Sequence, residues 1–328
     1  MKIKRRDFIQ TITLAGAAMA LPRLSFAHLS VKKRIGIIGL DTSHSLAFTQ
    51  LLNAQNQDPQ LDGYQVVAAY PYGSKDLALS KERIPKQMVE IQQFGVKIVD
   101  SIAELLAEVD VVLLETNDGR LHLTQALEVI KAGKPLFIDK PLAASLKDAK
   151  AIFDAAKAYN VPVFSASSLR FMDNVVAIRS GKHGQVLGAD TFSPATIEPT
   201  HPDLFWYGIH GVETLFAVMG PDCVSVTRFY TEETDVVVGK WKDGRVGTFR
   251  GTRTGKADFG GTCFTGNGTF QLGPYLGYKP LLVEIIKFFN TKIAPVSASE
   301  TLAILAFMEA ADESKRRGGK TIKLKPIY

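Results

Sequence analysis

The stretch RIGIIGLDTSHSLAFTQLL, residues 34–52, contains residue types that could bind a phosphate. It reads as a strand, a turn and a helix, and Gly39 stands at the first position of a G-x-G-x-x-G dinucleotide fingerprint. Asp41 and His44 occupy the positions of the other two glycines. The chemistry in question is the binding of a diphosphate by the backbone N–H groups at the start of a helix.

Asp41 has two interpretations, and the sequence leaves both open. If its carboxylate faces the cleft, it repels a diphosphate, because two like charges at roughly 4 Å cost on the order of 4 kcal/mol near a protein surface. If it caps the following helix, it turns away, since Asp, Thr and Ser are preferred caps and DTSHS contains all three. Thr42 and the first-turn N–H groups then still face an anion.

Short β-branched runs alternate with amphipathic stretches from residue 33 onward, and these elements must position the turn. The predicted strands are RIGII, YQVVAAY, KIVD, DVVLLET, KPLFID and VPVFSA, and the predicted helices span 43–55, 101–107, 121–132 and 145–159. Strands that are apolar on both faces and separated by helices predict a parallel, doubly wound sheet. Ligands bind in such sheets beyond the carboxyl ends of the strands.

The pattern changes after residue 168. Helices near 174–180, 208–219, 278–290 and 298–316 surround antiparallel strand candidates, among them a hairpin with its turn at Asp243-Gly244. The predicted class is α/β, with a Rossmann-type domain at 28–168 and, at 169–328, an α+β domain whose sheet is open and mostly antiparallel. That second domain is expected to bind substrate and to self-associate.

The segment AAYPYGSKD follows the second predicted strand, where NAD-binding proteins usually place an acidic residue that grips the adenosine ribose. Ser74 and Lys75 offer a hydroxyl and a cation, which suit a 2′-phosphate. If a dinucleotide binds, the sequence therefore favours NADP slightly over NAD.

Three segments resemble the Gfo/Idh/MocA oxidoreductases, a family named for glucose-fructose oxidoreductase and inositol dehydrogenase. They are residues 101–171, GIHGVETLFAVMG, and ASETLAILAFMEAADESKRRGGKTIKL. The resemblance implies a bound NADP or NAD, a sugar or cyclic polyol substrate, and a dimer or tetramer.

The resemblance also implies roles for single residues. The family's Glu-Lys-Pro triplet reads Asp139-Lys140-Pro141, so Lys140 is expected to polarise the substrate hydroxyl. His210 matches a family histidine that relays the proton, although Trp206 stands where the family has an aspartate. The expected cofactor contacts are Gly39, Asp41, Thr42, His44, Ser74, Lys75, Thr116, Asn117, His122, Asp139 and Lys140.

The expected substrate contacts are Arg170 and the PTHPDLFWYG loop with His201, Trp206 and Tyr207. Aromatic rings beside polar groups form sugar platforms, although such clusters more often serve packing. Glu213 lies one helical turn after His210 and is expected to orient it.

A different interpretation treats His and carboxylate side chains as metal ligands gathered around one cleft. Its candidates are Asp41, His44, Glu115, His122, His201 and His210. No ligand spacing stands out among them, so no metal is expected.

Residues 1–27 resemble an export signal. A basic segment containing Arg5 and Arg6 in twin-arginine fashion precedes a short apolar run and small residues ending at Ala27. Cleavage near Ala27 would give a periplasmic or otherwise exported protein. The apolar run is shorter than the roughly 20 residues of a membrane span.

Charge and cysteine content narrow the remaining possibilities. The net charge of +6 falls to +2 without residues 1–27, which argues against nucleic-acid binding. Cys223 and Cys263 are expected to be separate buried thiols rather than a disulfide, although the sequence does not exclude the pair.

The leading hypothesis is an exported NAD(P)-dependent oxidoreductase acting on a sugar or cyclic polyol. A second is a sugar-binding or sensory protein on a decayed dehydrogenase scaffold. A third is a lyase or hydrolase that moves protons through His44, Lys140 and His210 without net redox.

Overall fold

The computed structural model describes residues 33–325, so the predicted export signal lies outside the described residues. Six strands form the first sheet: β1 (Lys33–Ile38), β2 (Tyr64–Tyr70), β3 (Lys97–Ile98), β4 (Val111–Leu114), β5 (Leu136–Ile138) and β6 (Val163–Ser165). Their order is β3-β2-β1-β4-β5-β6, and every neighbouring pair is parallel. The predicted doubly wound sheet is confirmed.

Five helices connect these strands: α1 (Ser43–Leu52), α2 (Ala78–Gln92), α3 (Ile102–Glu108), α4 (His122–Lys131) and α5 (Leu146–Ala158). All four residues of β4 are buried, as expected for a strand with helices on both faces. Each strand therefore delivers the residues after its carboxyl end to one common edge of the sheet.

The sequence did not predict α2. Pro85 stands inside this helix, and its buried residues are Ser80, Gln87 and Ile91. A proline in a helix interior and a polar buried face both weaken the periodic apolar signal. The helix is nevertheless central to the site, because its polar face packs on the turn after β1.

Seven strands form the second sheet: β7 (Val186–Pro194), β8 (Cys223–Tyr230), β9 (Thr234–Trp241), β10 (Val246–Thr252), β11 (Gly260–Thr265), β12 (Gly268–Leu272) and β13 (Ile322–Lys323). Their order is β12-β11-β7-β10-β9-β8-β13. The β7–β10 pair is parallel and the other pairs are antiparallel, with the predicted hairpin joining β9 and β10. The mostly antiparallel second sheet is confirmed.

The remaining helices are α6 (Asp173–Arg179), α7 (Asp203–Trp206), α8 (Ile209–Met219), α9 (Lys279–Thr291) and α10 (Ala298–Arg316). All residues of α8 are buried, and a Cβ on Gly211 would overlap the ring of Phe249 in β10. This close approach fixes His210 at the start of α8. Apolar residues of α9 pack with those of β1 in one core cluster. The domain boundary predicted at residue 168 stays a prediction.

Arg228 is buried in β8 and holds α7 in place. Its guanidinium contacts Asp235 Oδ1 at 2.7 Å, Asp312 Oδ1 at 2.5 Å and Asp203 Oδ2 at 3.1 Å. Lys315 contacts the same Asp203 oxygen at 2.6 Å. Because α7 begins at Asp203, these ion pairs also position Trp206 at its other end.

Two further expectations concern cysteines and membranes. Cys223 and Cys263 are free, buried thiols, as expected, and burial raises the pKa of the Cys223 thiol to about 12. Within residues 33–325, no helix combines the length and apolar character that crossing a membrane requires.

Candidate active site

A cavity of about 200 Å³ lies at the carboxyl edge of the parallel sheet. The start of α1 and the residues after β4 and β5 border one side, and α8 and the segment before α9 border the other. Its polar lining comprises Thr42, Ser43, His44, Arg83, Asn117, Asp139, Lys140, Ser168 and His210. Of the expected site residues, the structure therefore brings Thr42, His44, Asn117, Asp139, Lys140, Trp206, Tyr207 and His210 together at one cavity.

Lys140 follows β5, and its side chain is only 10% exposed. Asp139 Oδ1 accepts a 2.7 Å hydrogen bond from the Lys140 backbone N–H, and Asp139 Oδ2 lies 4.0 Å from Lys140 Nζ. The position matches the role that the family resemblance implies. The catalytic role itself stays a prediction.

His44 joins two buried carboxylates at the base of the cavity. Its Nδ1 lies 3.0 Å from Asp139 Oδ1 and 3.6 Å from Glu115 Oε2. Burial opposes a charge on His44, but Asp139 and Glu115 outweigh it and raise the pKa of His44 to about 10. Burial and the Asp139 charge raise the pKa of Glu115 to about 7. Burial opposes a charge on Asp139 as well, but His44 and Lys140 lower its pKa well below the usual range.

These shifts predict a loss of stability in alkali. A group whose pKa rises on folding stabilises the fold below its unfolded pKa, and that contribution disappears as pH rises through the folded value. For His44 the window runs from 6.5 to about 10. We expect the urea midpoint to fall between pH 7 and pH 10, and to fall less in a His44→Gln variant.

The matched control is His183→Gln, because His183 stacks on Phe270 away from this cluster. This variant should keep the wild-type decline. An equal decline in the His44 variant would contradict the assignment of the alkaline loss to His44.

His210 is held in a neutral form at the opposite wall. Burial, and then the charges of Lys140 and His44, lower the pKa of His210 well below 6.5. Its Nδ1 lies 2.8 Å from Ser167 Oγ. In the tautomer that donates from Nδ1 to Ser167, Nε2 carries a lone pair, as a general base requires.

Glu213 does not contact His210, contrary to expectation. Its Oε1 accepts hydrogen bonds from the Ser167 backbone N–H and from Arg170 Nε, both at 3.0 Å. Burial raises the pKa of Glu213. Glu213 therefore positions Ser167, and Ser167 contacts His210.

Arg170 does not line the cavity, so its expected place in the substrate pocket is wrong. It is fully buried and pairs with Glu213 and, through Nη1 at 2.6 Å, with Glu300. These two carboxylates, of which Glu213 is buried, hold the guanidinium in the core. This pairing was not predicted from the sequence.

Aromatic side chains form the cavity wall away from the sheet: Trp206, Tyr207, Phe259, Tyr275 and Tyr278. The Tyr278 hydroxyl lies 2.9 Å from Ser43 Oγ. His201 is outside the lining but its ring packs on Trp206, with centroids 4.8 Å apart. Ring faces beside hydroxyls and amides suit a polar ring such as a sugar.

Three side chains could hold a metal ion. His44, Glu115 and Asp139 each offer a ligand atom, and these atoms lie within 4.8 Å of one another. His44 and Glu115 were among the candidates of the alternative metal interpretation, whereas its other candidates, Asp41, His122, His201 and His210, are not part of this group. A nitrogen and two carboxylate oxygens suit a divalent cation.

The expected dinucleotide groove is the space between residues 39–42, 71–77 and 115–121, which follow β1, β2 and β4. Gly39 has φ +91°, and a Cβ there would overlap the backbone of Thr116. Asp41 is fully buried and spans this groove: Oδ1 accepts from the Asn117 backbone N–H at 2.9 Å and Oδ2 from Ser80 Oγ at 2.7 Å. Burial raises the Asp41 pKa.

Asp41 thus follows neither interpretation from the sequence. Thr42 is the N-cap of α1, and its own side chain makes no capping hydrogen bond to the first turn. The Asp41 carboxylate instead crosslinks three segments. It lies over Gly73, so it occupies the place where a diphosphate would cross the strand ends.

The adenosine end of the groove is also closed by side chains. Arg120 binds Asp118 at 2.6 Å and Asp76 at 2.8 Å, and Asp118 accepts a 3.0 Å hydrogen bond from His201. Ser74, expected to bind a 2′-phosphate, donates to Asp76 at 2.6 Å, and Lys75 is exposed. The residues of this groove do not fit a dinucleotide.

His122 was expected at the cofactor, but it is fully buried beneath the loops. Its Nε2 lies 2.6 Å from the Thr116 carbonyl oxygen, and its Nδ1 lies 3.1 Å from that of Pro141. It therefore joins the segment after β4 to the segment after β5.

Several residues that contact the turn after β1 or line the cavity were not predicted from the sequence. Ser80, Arg83 and Gln87 contact the turn after β1, and their spacing of three and four residues places them on one helix face. That spacing was a usable signal. A second signal was the pair Tyr275 and Tyr278, two aromatic residues three positions apart in the Gly- and Pro-rich segment GPYLGY before α9.

Comparison with known proteins finds a family match for part of the chain. Residues 33–167 match the profile of the GFO_IDH_MocA oxidoreductase family, described as having an NAD-binding Rossmann fold. An uncharacterized oxidoreductase of Streptococcus pneumoniae is 28% identical over 156 residues, 42% of this chain and 42% of that protein. Inositol 2-dehydrogenase of Cereibacter sphaeroides is 37% identical over 79 residues, 24% of this chain and 23% of that protein. The chain thus spans less than half the length of these curated relatives.

Solved structures extend the likeness of fold over most of the chain. The myo-inositol dehydrogenase of Lactobacillus casei, in complex with NAD(H) and myo-inositol, superposes with a TM-score of 0.70 at 18% identity. The match covers 90% of this chain and 97% of that chain. The expected resemblance to the Gfo/Idh/MocA oxidoreductase family is thus seen over residues 33–167, and the solved structures add a likeness of fold over the rest of the described chain.

Proposed function

We propose that this protein binds a sugar or cyclic polyol in the cavity and moves protons on it through His210 and Lys140. The observation that carries the proposal is the placement of a neutral histidine and a lysine in one small cavity with an aromatic wall. The inositol dehydrogenases among the relatives act on a cyclic polyol, which supports this substrate class.

The two groups have complementary tasks. His210 supplies the base, because burial and two nearby cations keep its ring neutral. Lys140 supplies positive charge at a substrate oxygen, where negative charge develops as a proton leaves. His44 and Asp139 fix the start of α1 against the segment after β5, and so hold together the wall that carries Lys140.

Ligand-observed NMR with inositols, aldoses and 1,5-anhydro-D-fructose tests the substrate class. We expect saturable binding, and Trp206→Ala should weaken it about tenfold, or about 1.4 kcal/mol, because a ring face of the wall is lost. Tyr159→Ala is the matched control, since Tyr159 is 52% exposed and outside the cavity lining.

Binding of none of these compounds would reject the proposed substrate class. Binding without any chemical change in the ligand would favour the sugar-binding or sensory alternative. Turnover followed by NMR separates the two.

We also infer export and self-association. The basic N-terminal segment with Arg5 and Arg6 supports export, which cell fractionation measures. Exposed apolar residues on the second sheet support a dimer or tetramer, which light scattering measures. They include Leu187, Phe229, Val246 and Phe264.

A further inference from the structure

We propose that this protein works without a dinucleotide and catalyses a redox-neutral proton transfer, because its own side chains fill the dinucleotide groove. The substrate class in this inference rests on the proposed function. The exclusion of the dinucleotide rests on the groove alone, so the two can fail separately.

Asp41 is the first obstacle. A dinucleotide places its diphosphate on the turn after β1, at the N-terminus of α1. There the Asp41 carboxylate is already bonded to the Asn117 backbone N–H and to Ser80 Oγ. A diphosphate would have to displace this carboxylate from both donors and would lie against a group of like charge.

Helix α2 is the second obstacle, because it is bonded to the same turn. Arg83 Nη1 donates to the Asp41 carbonyl oxygen at 3.2 Å, and Gln87 Nε2 donates to that of Thr42 at 2.9 Å. Ser80 and Gln87 are buried in this contact. A diphosphate placed on this turn would therefore lie against the Arg83 and Gln87 side chains as well as the Asp41 carboxylate.

The Arg120 network is the third obstacle. It joins Asp76 after β2 to Asp118 after β4, and Asp118 continues to His201 in the second half of the chain. The adenosine of a dinucleotide lies where these two segments meet. Its entry would break a bidentate Arg120–Asp118 pair and the His201 hydrogen bond.

The space that remains suits one small substrate. The cavity measures about 200 Å³, below the range of roughly 300–1,000 Å³ typical of sites for drug-sized ligands. It keeps His210 and Lys140, the two groups that handle protons. Hydride transfer needs a carrier, whereas proton transfer does not.

The reaction step balances without a carrier. His210 Nε2 accepts a proton from a carbon next to a substrate carbonyl, and the C–H electron pair forms the C=C bond of an enolate. The carbonyl π pair moves to the oxygen that faces Lys140. In one route the oxygen pair re-forms the carbonyl and the C=C pair takes a proton back from His210 onto carbon. In the other, the oxygen pair re-forms the carbonyl and the C=C pair forms a new C=C bond to the next carbon, whose substituent departs with its bonding pair and takes the proton from His210. Neither route adds or removes electrons overall.

Dinucleotide binding is tested on the full-length purified protein. Titration calorimetry with NAD⁺, NADH, NADP⁺ and NADPH should show no saturable binding, and denatured protein should release no nucleotide absorbing near 260 nm. The inositol dehydrogenase of Lactobacillus casei, solved with NAD(H), is the positive control. One-to-one binding of any of the four, or released nucleotide, would overturn the exclusion.

Proton transfer is tested in D₂O with 1,5-anhydro-D-fructose and with the 2-ketone of myo-inositol. Proton NMR should show enzyme-dependent loss of the signal next to the carbonyl with no dinucleotide added, at least 100-fold slower in His210→Gln. A ketone that binds without exchange, or exchange that requires added NADH, would overturn the redox-neutral assignment. If neither ketone binds, the proposed substrate class fails, and the calorimetry still decides whether the groove is closed.

Discussion

Lys140→Met is expected to lower kcat on the sugar or polyol substrate by about 10² to 10⁴, the range that acid–base groups typically supply. Methionine keeps the length and apolar stem of lysine but removes the positive charge from the cavity. KM should change little, because the charge acts mainly on the oxygen at which negative charge develops in the transition state. Steady-state turnover by NMR or a coupled assay gives both constants.

Lys147→Met is the matched control for this prediction. Lys147 is exposed on α5, seven residues further along the chain, and outside the cavity. Its replacement should leave kcat and KM unchanged. A Lys140→Met protein with wild-type kcat would remove Lys140 from the mechanism and leave His210 as the only acid–base group proposed.

Arg228→Met is expected to lower the free energy of unfolding by about 3–5 kcal/mol, the cost of breaking a buried ion pair from one side. The variant leaves the fully buried Asp235 with Arg253 but without its second cationic partner. It also leaves Asp312 and Asp203 without the guanidinium that contacts both. Burial raises the pKa of Asp312 to about 7 even with Arg228 beside it. Removing the Arg228 charge therefore makes the ionised form of Asp312 still less favourable. Urea denaturation followed by circular dichroism measures the loss.

The control for this stability change is Lys86→Met. Lys86 and Glu82 form an exposed i,i+4 pair on α2, and such pairs contribute about 0.3–0.5 kcal/mol. A loss below about 1 kcal/mol for Arg228→Met would show that the surrounding aspartates relax to solvent instead of staying buried.

The sequence predicted the parallel sheet well, because its strands are buried on both faces and each is followed by a recognisable helix or turn. The carboxyl-edge location of the site follows from that topology alone. This topology brings His44, which follows β1, to Asp139 and Lys140, which follow β5, and α8 places His210 opposite them.

The function of Asp41 could not be predicted in the same way. Its partners, Ser80 and the Asn117 N–H, lie 39 and 76 residues away along the chain. Ser80 belongs to the helix whose internal Pro85 weakened the apolar pattern. Local sequence rules therefore predicted that Asp41 either caps α1 or faces the cleft. They contain no information about a hydrogen bond to a distant segment.

Arg170 shows a second limit of sequence reasoning. Arg170 was expected to contact the substrate together with the PTHPDLFWYG loop. Its partners, Glu213 and Glu300, come from two different later helices. Only the packing of those helices shows that the charge of Arg170 is already neutralised in the core.

The proposed closure of the dinucleotide groove by Asp41 also predicts how the reaction rate depends on substrate concentration. An enzyme that alternates between an oxidised and a reduced carrier depends on two concentrations and requires a second reaction to regenerate the carrier. If Asp41 keeps the groove closed as proposed, the rate should depend on one substrate concentration, and no carrier has to be regenerated between turnovers. Initial rates should then follow a single hyperbola and be insensitive to the redox state of the surroundings.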